Sequence, residues 1–230
     1  MGKKWQASMI LPFSRQRIPR RKKLSEKCAF GRSGRFLFMY FRGMKIAFSV
    51  LFLFVALAFA LPQTGVFVDV RDGHEYRTVV IGSKTWMAEN LDYKTKESEC
   101  YDGKTENCKK YGRLYTFEAA RKACPVGWHL PENDEWIRFK NFIENSDGKE
   151  AAWVSLKSRD KWDGSDRYGF DVVPAGRATD EFVGMGESAH FWSSTEEDGD
   201  AYGWHLMPPG DFARDIDTAT NMYSVRCLRN

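Results

Sequence analysis

An apolar run near the front of the chain sets the conditions under which everything after it must fold. Met44-Lys45 is followed by sixteen uncharged and mostly apolar residues, Ile46 to Leu61, with Ala58-Phe59-Ala60 as a small-x-small triplet near the end. A positive residue, an apolar stretch and such a triplet form the pattern of a secretory signal peptide over residues 44–60, cut after Ala60. The alternative is a signal anchor that stays in the membrane. Sixteen residues fall short of the about 20 that a helical span needs, so tilt or bilayer thinning would have to make up the difference. Either way, residues 61–230 are expected outside the cytoplasm as one exported domain. It would be secreted or at the cell surface, and periplasmic or outer-membrane-associated in a Gram-negative cell.

Residues 1–60 carry thirteen Lys or Arg and one acid, and the first 43 show no sustained apolar period. Met44 is itself a natural start, so residues 1–43 read as a mis-assigned or unstructured basic extension. If translated, their positive charge favours the cytoplasmic side of a membrane. The charge balance of the remainder is the reverse of the whole. The chain has 35 bases, 31 acids and a net charge of +4; without the leader 22 bases and 30 acids remain, a net charge of −8. A nucleic-acid partner, which needs a basic face to neutralise phosphates, is disfavoured. Contact with a membrane would come only through an uncleaved signal segment.

Export makes the cysteines meaningful. Cys28 precedes the cut, leaving Cys100, Cys108, Cys124 and Cys227. An even number in an exported domain reads as a disulfide framework, although four cysteines allow three pairings. Cys100 and Cys108 bracket a polar, turn-rich segment within Lys94–Lys110. A bridge between them is favoured over pairing elsewhere, and closing so small a loop is worth roughly 2–3 kcal/mol on the chain-entropy model. Leu61-Pro62-Gln63-Thr64-Gly65 spells a sortase-like string, but it stands at the wrong end of the chain for a sorting signal.

Along residues 61–230, Val66 to Ile81 predicts a β-hairpin turning at Asp72-Gly73, and Gly82-Ser83-Lys84 predicts a turn into Thr85-Trp86-Met87. Thr116 to Cys124 predicts a helix, with Thr116 as cap, Phe117, Ala120 and Cys124 at helical spacing, and Pro125 as terminator. A second helix is expected over Asp134–Ile143, where Trp136, Phe139 and Ile143 recur. Beyond Gly148, short strands are expected at residues 169–173, 191–194, 204–207 and 223–227, separated by loops rich in Gly and Asp. Grouped helices and separate strands make the class α+β.

Several strings in this region occur in a recognisable order. They are Gly82-Ser83-Lys84-Thr85-Trp86-Met87-Ala88-Glu89-Asn90-Leu91, Tyr111-Gly112-Arg113-Leu114-Tyr115-Thr116-Phe117-Glu118-Ala119-Ala120, and Cys124-Pro125-Val126-Gly127-Trp128-His129-Leu130-Pro131 with Glu135-Trp136. Tyr168-Gly169-Phe170, Pro174-Ala175-Gly176, Phe191-Trp192-Ser193-Ser194-Thr195 and Ser224-Val225-Arg226-Cys227 follow. From about Val68 to Asn230 the chain resembles the Fibrobacter succinogenes major paralogous domain. That resemblance implies an exported or surface protein of an expanded paralogous group, and brings no reaction with it. One departure is visible: the family usually has Ser after the Leu-Pro pair, where this chain has Glu132, so the second helix needs a weaker cap or one supplied by Asn133. A more distant resemblance is to C-type-lectin-like folds, two helices packed on short antiparallel strands with a loop-rich C-terminal half. It implies a Cys124–Cys227 bridge, worth roughly 4–5 kcal/mol for a loop of about 100 residues.

Candidate sites follow from residue chemistry. Trp offers large area with a polar handle and stacks on sugar rings. Trp86, Trp128, Trp136 and Trp192 fall within the family strings and are expected in the core; Trp153, Trp162 and Trp204 flank variable loops and are the ligand-binding candidates. Asp160, Asp163 and Asp166 around Gly164, and Glu196, Glu197, Asp198 and Asp200 around Gly199, are weak calcium candidates, since clustered carboxylates on a bent loop suit a hard cation. Neither loop has EF-hand spacing, and solvated surface is the plainer reading. No other cofactor is implied. The four histidines, His74, His129, His190 and His205, look scattered, without zinc spacing. Gly184-Met185-Gly186-Glu187-Ser188-Ala189 imitates a dinucleotide fingerprint without its strand-to-helix setting.

The expected function is a non-catalytic extracellular recognition module, with polysaccharide or a cell-surface protein as partner. The alternatives are a secreted enzyme with an unrecognised carboxylate site and a structural envelope protein. N-terminal mapping of the product secreted by its own host is expected to begin at Leu61. Peptides recovered from residues 1–43 would contradict the start at Met44.

Overall fold

The computed structural model describes residues 62–208 and 210–230. The basic extension and signal segment expected at residues 1–60 lie outside the described residues. Among the described residues no helix is long and apolar enough to cross a membrane.

The chain opens with strands β1 (Thr64–Val68), β2 (Glu75–Ile81) and β3 (Lys84–Met87), then β4 (Ser98–Glu99) and a 3-10 turn at Tyr101–Gly103. Helix α1 (Thr105–Tyr111), β5 (Leu114–Tyr115), α2 (Phe117–Ala123), β6 (Trp128–His129) and three further helices follow, α3 (Asn133–Asp147), α4 (Lys149–Leu156) and α5 (Arg159–Trp162). The C-terminal part is β7 (Ala175–Ala178), β8 (Phe182–Met185), β9 (Ala189–Glu197), β10 (Asp200–Met207), β11 (Asp211–Asp217), β12 (Tyr223–Ser224) and β13 (Leu228–Arg229). The first sheet has the order β1-β2-β3-β13-β6, and the second β11-β10-β9-β12-β5-β4, with β7 beside β9 and β8 beside β7. The last residues of the chain thus stitch both sheets, β12 lying between β9 and β5 and β13 between β3 and β6.

The α+β class and the first hairpin are as the sequence predicts, with Thr64 opposite Val79 and Val68 opposite Glu75. The turn is wider than Asp72-Gly73 alone, because buried Asp69 closes it: its amide donates to the His74 carbonyl at 2.8 Å and its carboxylate holds Arg71. Helix α2 starts where expected, the Thr116 hydroxyl accepting from the Ala119 amide at 3.3 Å. Helix α3 runs one turn beyond Ile143, through polar residues that carry no apolar period, and ends at Gly148. Its start is capped in another way than expected. Glu132 is the cap residue, its amide donating to the Glu135 carboxylate at 3.1 Å. The Asn133 amide is satisfied instead by the Thr195 hydroxyl of β9 at 2.9 Å. Asn133 turns its side chain inward, where it accepts from the Trp204 indole.

Two expectations are corrected. Two helices are expected from the sequence and the described residues contain five, since α1 lies in a polar, turn-rich stretch, α4 has little amphipathic period and α5 is a single turn. Residues 169–173 are not a strand. Asp171 has φ +49°, its amide donates to the Asp166 carboxylate, and the carbonyls of Phe170 and Asp171 are taken by Arg226 rather than by a neighbouring strand. Strands β9, β10 and β11, in contrast, are long and pair successively as an antiparallel meander that the intervening Gly and Asp residues obscure.

One core cluster gathers Trp86, Trp136, Phe139, Phe170, Phe191 and Trp204, and a second Tyr76, Tyr115, Phe117, Trp192, Tyr223 and Cys227. Trp136 is the hub of the first: it lies 4.8 Å from Trp86 and 5.6 Å from Phe191 by ring centroids, stacks on Trp204 at 6.2 Å, and donates its indole N–H to the Trp192 carbonyl. Offset and edge-on aromatic pairs of this kind add about 0.5–1.5 kcal/mol each beyond the area they bury. Cys100–Cys108 and Cys124–Cys227 are both bridged, the first closing a short loop over α1 and the second joining the end of α2 to the last strand. Replacing Cys124 and Cys227 together by Ala is expected to cost about 4–5 kcal/mol in urea unfolding, and the same change at Cys100 and Cys108 about 2–3 kcal/mol. Equal losses would contradict the loop-length argument.

Candidate functional site

The segment after β3 is built by backbone hydrogen bonds that leave its side chains free to converge. Ala88 donates to Arg77, and Leu91 to Val225, and the Leu91 carbonyl accepts from Arg113. Between these anchors Asn90 faces inward. Its amide nitrogen donates to the Tyr111 carbonyl at 2.8 Å and to the Ser224 hydroxyl at 3.1 Å, and its oxygen accepts from Arg226 Nε at 2.6 Å. The chain passes closely here. Gly112, at φ +76°, leaves no room for a side chain, because an added Cβ would lie 2.5 Å from the Asn90 Cβ. Arg226 is fully buried, and its remaining N–H groups donate to the Met87, Phe170 and Asp171 carbonyls while its guanidinium lies 4.6 Å from the Phe170 ring centre. Burial pushes its pKa down to about 10, with the carboxylates of Asp171 and Glu89 acting against that shift.

Arg77 on β2 organises those two carboxylates. It donates from Nε to Glu89 at 2.9 Å and from Nη2 to Asp171 at 2.7 Å, and its backbone amide also meets Glu89. Burial pushes the Glu89 carboxyl up, but the Arg77 hydrogen bonds outweigh it and hold the group below the usual carboxylate range. Asp171 is likewise held low against burial, by hydrogen bonds from Ser158 and Arg77 and by the charge on Arg226.

Asp92 differs. Its backbone amide donates to the Tyr76 hydroxyl, yet its Oδ1 is buried without a hydrogen bond, with Arg113 Nε at 3.4 Å. Burial raises its carboxyl above the ordinary value, and the Arg113 charge only partly offsets this. Asp92 and His74 form one wall of a cleft, Lys109 and Tyr111 another, and Asn90 and Arg226 lie at its floor. The cleft encloses about 70 Å³, room for about two water-sized groups. It therefore presents the Asp92 carboxylate and flanking ammonium groups, the Asn90 amide being committed to Tyr111, Ser224 and Arg226. Of the carboxylates, Glu89 and Asp171 are committed to Arg77.

The sequence-derived candidates lie elsewhere and do not assemble. Trp204 and Trp162 are core residues, which corrects their reading as ligand platforms. Trp204 alternates inward on β10 and donates its indole N–H to Asn133 at 3.2 Å, so neither face of the ring reaches solvent. Trp162 is covered at the end of α5, with Lys157 Nζ 4.7 Å from its ring. Trp153 is half-buried on α4, its indole packed so closely by Gly210 that a Cβ there would approach to 2.2 Å.

The acidic loops do other work. Asp163 ends α5 in the left-handed region, Asp166 accepts from the Asp171 amide, and Asp160 lies in the first turn of α5. Glu196 pairs with Arg121, Asp198 takes the φ +53° position of the β9–β10 turn, and Asp200 accepts from the Ala219 amide. Among the described residues no three or more His, Cys, Asp or Glu side chains gather so as to hold a metal. The apparent dinucleotide fingerprint forms the tight β8–β9 turn. His190 and His205, scattered in sequence, are neighbours across β9 and β10.

Sequence reasoning missed Asn90, Asp92 and Arg226. The usable signal was a polar residue inside an otherwise apolar string, Arg226 between Val225 and Cys227; Asn90 follows Glu89 and carries no such signal. Four distant strings, containing Asn90, Gly112, Phe170 and Arg226, meet around this cleft. Two disulfides are compatible with an extracellular or periplasmic location. The family model for the Fibrobacter succinogenes major domain matches residues 79–229. No curated protein and no solved structure matches the chain. The match spans most of the chain and every part of the cleft except His74, and the chain belongs to the Fibrobacter succinogenes major domain family.

Proposed function

We propose that the chain is an exported, non-catalytic recognition module, secreted or held at the cell surface, whose cleft at Asp92 takes a hydroxyl-bearing group of a carbohydrate. The observation that carries this reading is the Asp92 carboxylate in a polar cleft, its Oδ1 without a hydrogen bond and met only by Arg113 Nε at 3.4 Å. A buried acceptor without a donor costs about 1–3 kcal/mol, a cost that a ligand hydroxyl would relieve. The lysines that line the cleft, Lys109, Lys110 and Lys161, supply donors that suit a polyol. The size of the cleft fits one substituent of a larger ligand rather than the whole.

Export is supported by the signal pattern at residues 44–60 and by the pairing of all four cysteines behind it. A C-type-lectin-like lineage is part of the same proposal, resting on the bridge from the end of α2 to Cys227 beside the terminal strand. The rival reading, a hydrolytic carboxylate pair, has two carboxyls raised by burial to draw on, Asp92 in the cleft and Asp166, which is already bonded to the Asp171 amide. The other two carboxylates that line the cleft, Glu89 and Asp171, are fixed on Arg77.

Glycan-array and polysaccharide binding by the oxidised domain, with and without calcium, tests the proposal. Asp92→Asn is expected to weaken the binding found by about 10- to 100-fold, the loss of one charge-assisted hydrogen bond. The same change should raise the urea midpoint at neutral pH. A carboxyl whose folded pKa is raised costs stability once ionised, so that cost is absent at low pH and grows as pH rises through the folded value. Absence of binding to every glycan, or full binding by Asp92→Asn, would contradict the reading.

A further inference from the structure

A second polar cluster lies outside the cleft, between strands of the second sheet. His190 of β9 stands opposite His205 of β10 in register, and their Nδ1 atoms are 2.7 Å apart. Both are buried. His190 Nε2 lies 3.0 Å from the Ser188 hydroxyl, and His205 Nε2 lies 2.8 Å from Asp217 Oδ2 on β11. The Tyr223 ring of β12 packs against both imidazoles, at 5.3 and 5.6 Å between centroids. Gly203 makes the arrangement possible: an added Cβ would lie 2.1 Å from Asp217 Oδ2 and 2.7 Å from His205 Cε1, beside the register irregularity between Ala201 and Gly203. The charged and titratable groups facing the pair are Arg177 from β7, Asp217 from β11 and Tyr223 from β12.

Two facing Nδ1 atoms can hold one proton between them, one donating and one accepting. With both rings neutral, His205 keeps a proton on Nε2 toward Asp217, and its Nδ1 accepts from His190. The Ser188 hydroxyl then donates to His190 Nε2. One added proton reverses the chain. His205 donates from both nitrogens, His190 Nε2 donates to Ser188 Oγ, and the Ser188 hydroxyl turns to the Gly184 carbonyl, 3.3 Å away. The single positive charge then sits beside the Asp217 carboxylate. Burial pushes that carboxyl up, but the hydrogen bond and charge of His205 hold it below its ordinary range. A second proton has no place. It would oppose two N–H groups at 2.7 Å and put two buried cations near Arg177.

We propose that Ser188, His190, His205 and Asp217 form a two-step acid switch, which absorbs one proton with the sheet closed and parts β9 from β10 on the second. The consequence reaches the cleft through β12, where Tyr223 packs on the switch and the next residue, Ser224, accepts from Asn90. Acid release of a cleft ligand therefore rests on the recognition reading above; opening of the sheet does not. The direction follows from linkage. Burial, then the charges of His205 and Arg177, push His190 down to about 3, whereas an unfolded histidine takes its proton near 6.5. Stability from this group is thus complete above about pH 6.5 and falls as pH drops toward 3.

The test uses the oxidised chain without ligand. Imidazole NMR and near-UV circular dichroism are followed from pH 8 to 3. The expected result is a first protonation that changes histidine signals and leaves the dichroism intact, then joint loss of the aromatic dichroism and protonation of His190. His190→Gln, which cannot take the second proton, is expected to hold its near-UV signal to a pH lower by about one unit. Should that variant fail to fold, the wild-type titration decides alone. Independent titration of His190 and His205 near 6.5 with the sheet intact would overturn the switch, as would an unchanged acid midpoint in folded His190→Gln. Failure of glycan binding at neutral pH leaves these outcomes unaltered and bears only on the cleft.

Discussion

A guanidinium sealed from water is the interaction on which the rest of this structure depends. Arg226 ties together two segments that no sheet joins: the end of β3 and the residues after it, through the Met87 carbonyl and Asn90, and the loop before β7, through the Phe170 and Asp171 carbonyls. Burying a cation costs several kcal/mol even after relaxation. Here the cost is offset by four acceptors in the plane of one rigid fork, by the Phe170 ring, and by Glu89 and Asp171, which Arg77 holds ionised nearby. A lysine offers a point charge and no fork, so it could not satisfy these acceptors together.

This single residue explains features that look unrelated along the chain. The carbonyls of residues 170 and 171 face Arg226, so an apolar alternating stretch that reads as a strand is a loop. Asn90 is tied to Arg226 on one side and to the Tyr111 carbonyl on the other, which brings α1 close enough that only glycine fits at position 112. Arg226 also precedes Cys227, so the bridge to Cys124 and the buried cation fix the same turn of chain from opposite sides. The cleft is a by-product of that convergence. Its walls are set by packing, and Asp92, paired with Arg113 without a hydrogen bond to its Oδ1, is the cleft carboxylate that Arg77 does not hold.

How far the sequence revealed this varied with the range of the forces involved. Helix α2 was legible because its cap, apolar stripe, terminating proline and cysteine all lie within ten residues. The first hairpin was legible from alternation, while its turn was not, because Asp69 closes it with a side chain that alternation does not register. The Cys124–Cys227 bridge was implied by family resemblance alone. Trp204 could not be assigned from local composition, since the face it occupies is decided by β9 and β11 on either side of it. His190 and His205 are fifteen residues apart and meet only because the β9–β10 register places them opposite each other. Asp92 carries no local signal of being unpartnered, which is a property of its surroundings.

The central claim is that Arg226 is held by its fork of hydrogen bonds and not by its charge alone. Urea unfolding of Arg226→Lys in the oxidised domain at neutral pH tests it most directly. The replacement keeps the charge and abandons Asn90 together with at least one buried carbonyl, and a loss of about 3 kcal/mol is expected. An unchanged midpoint and slope would contradict the account.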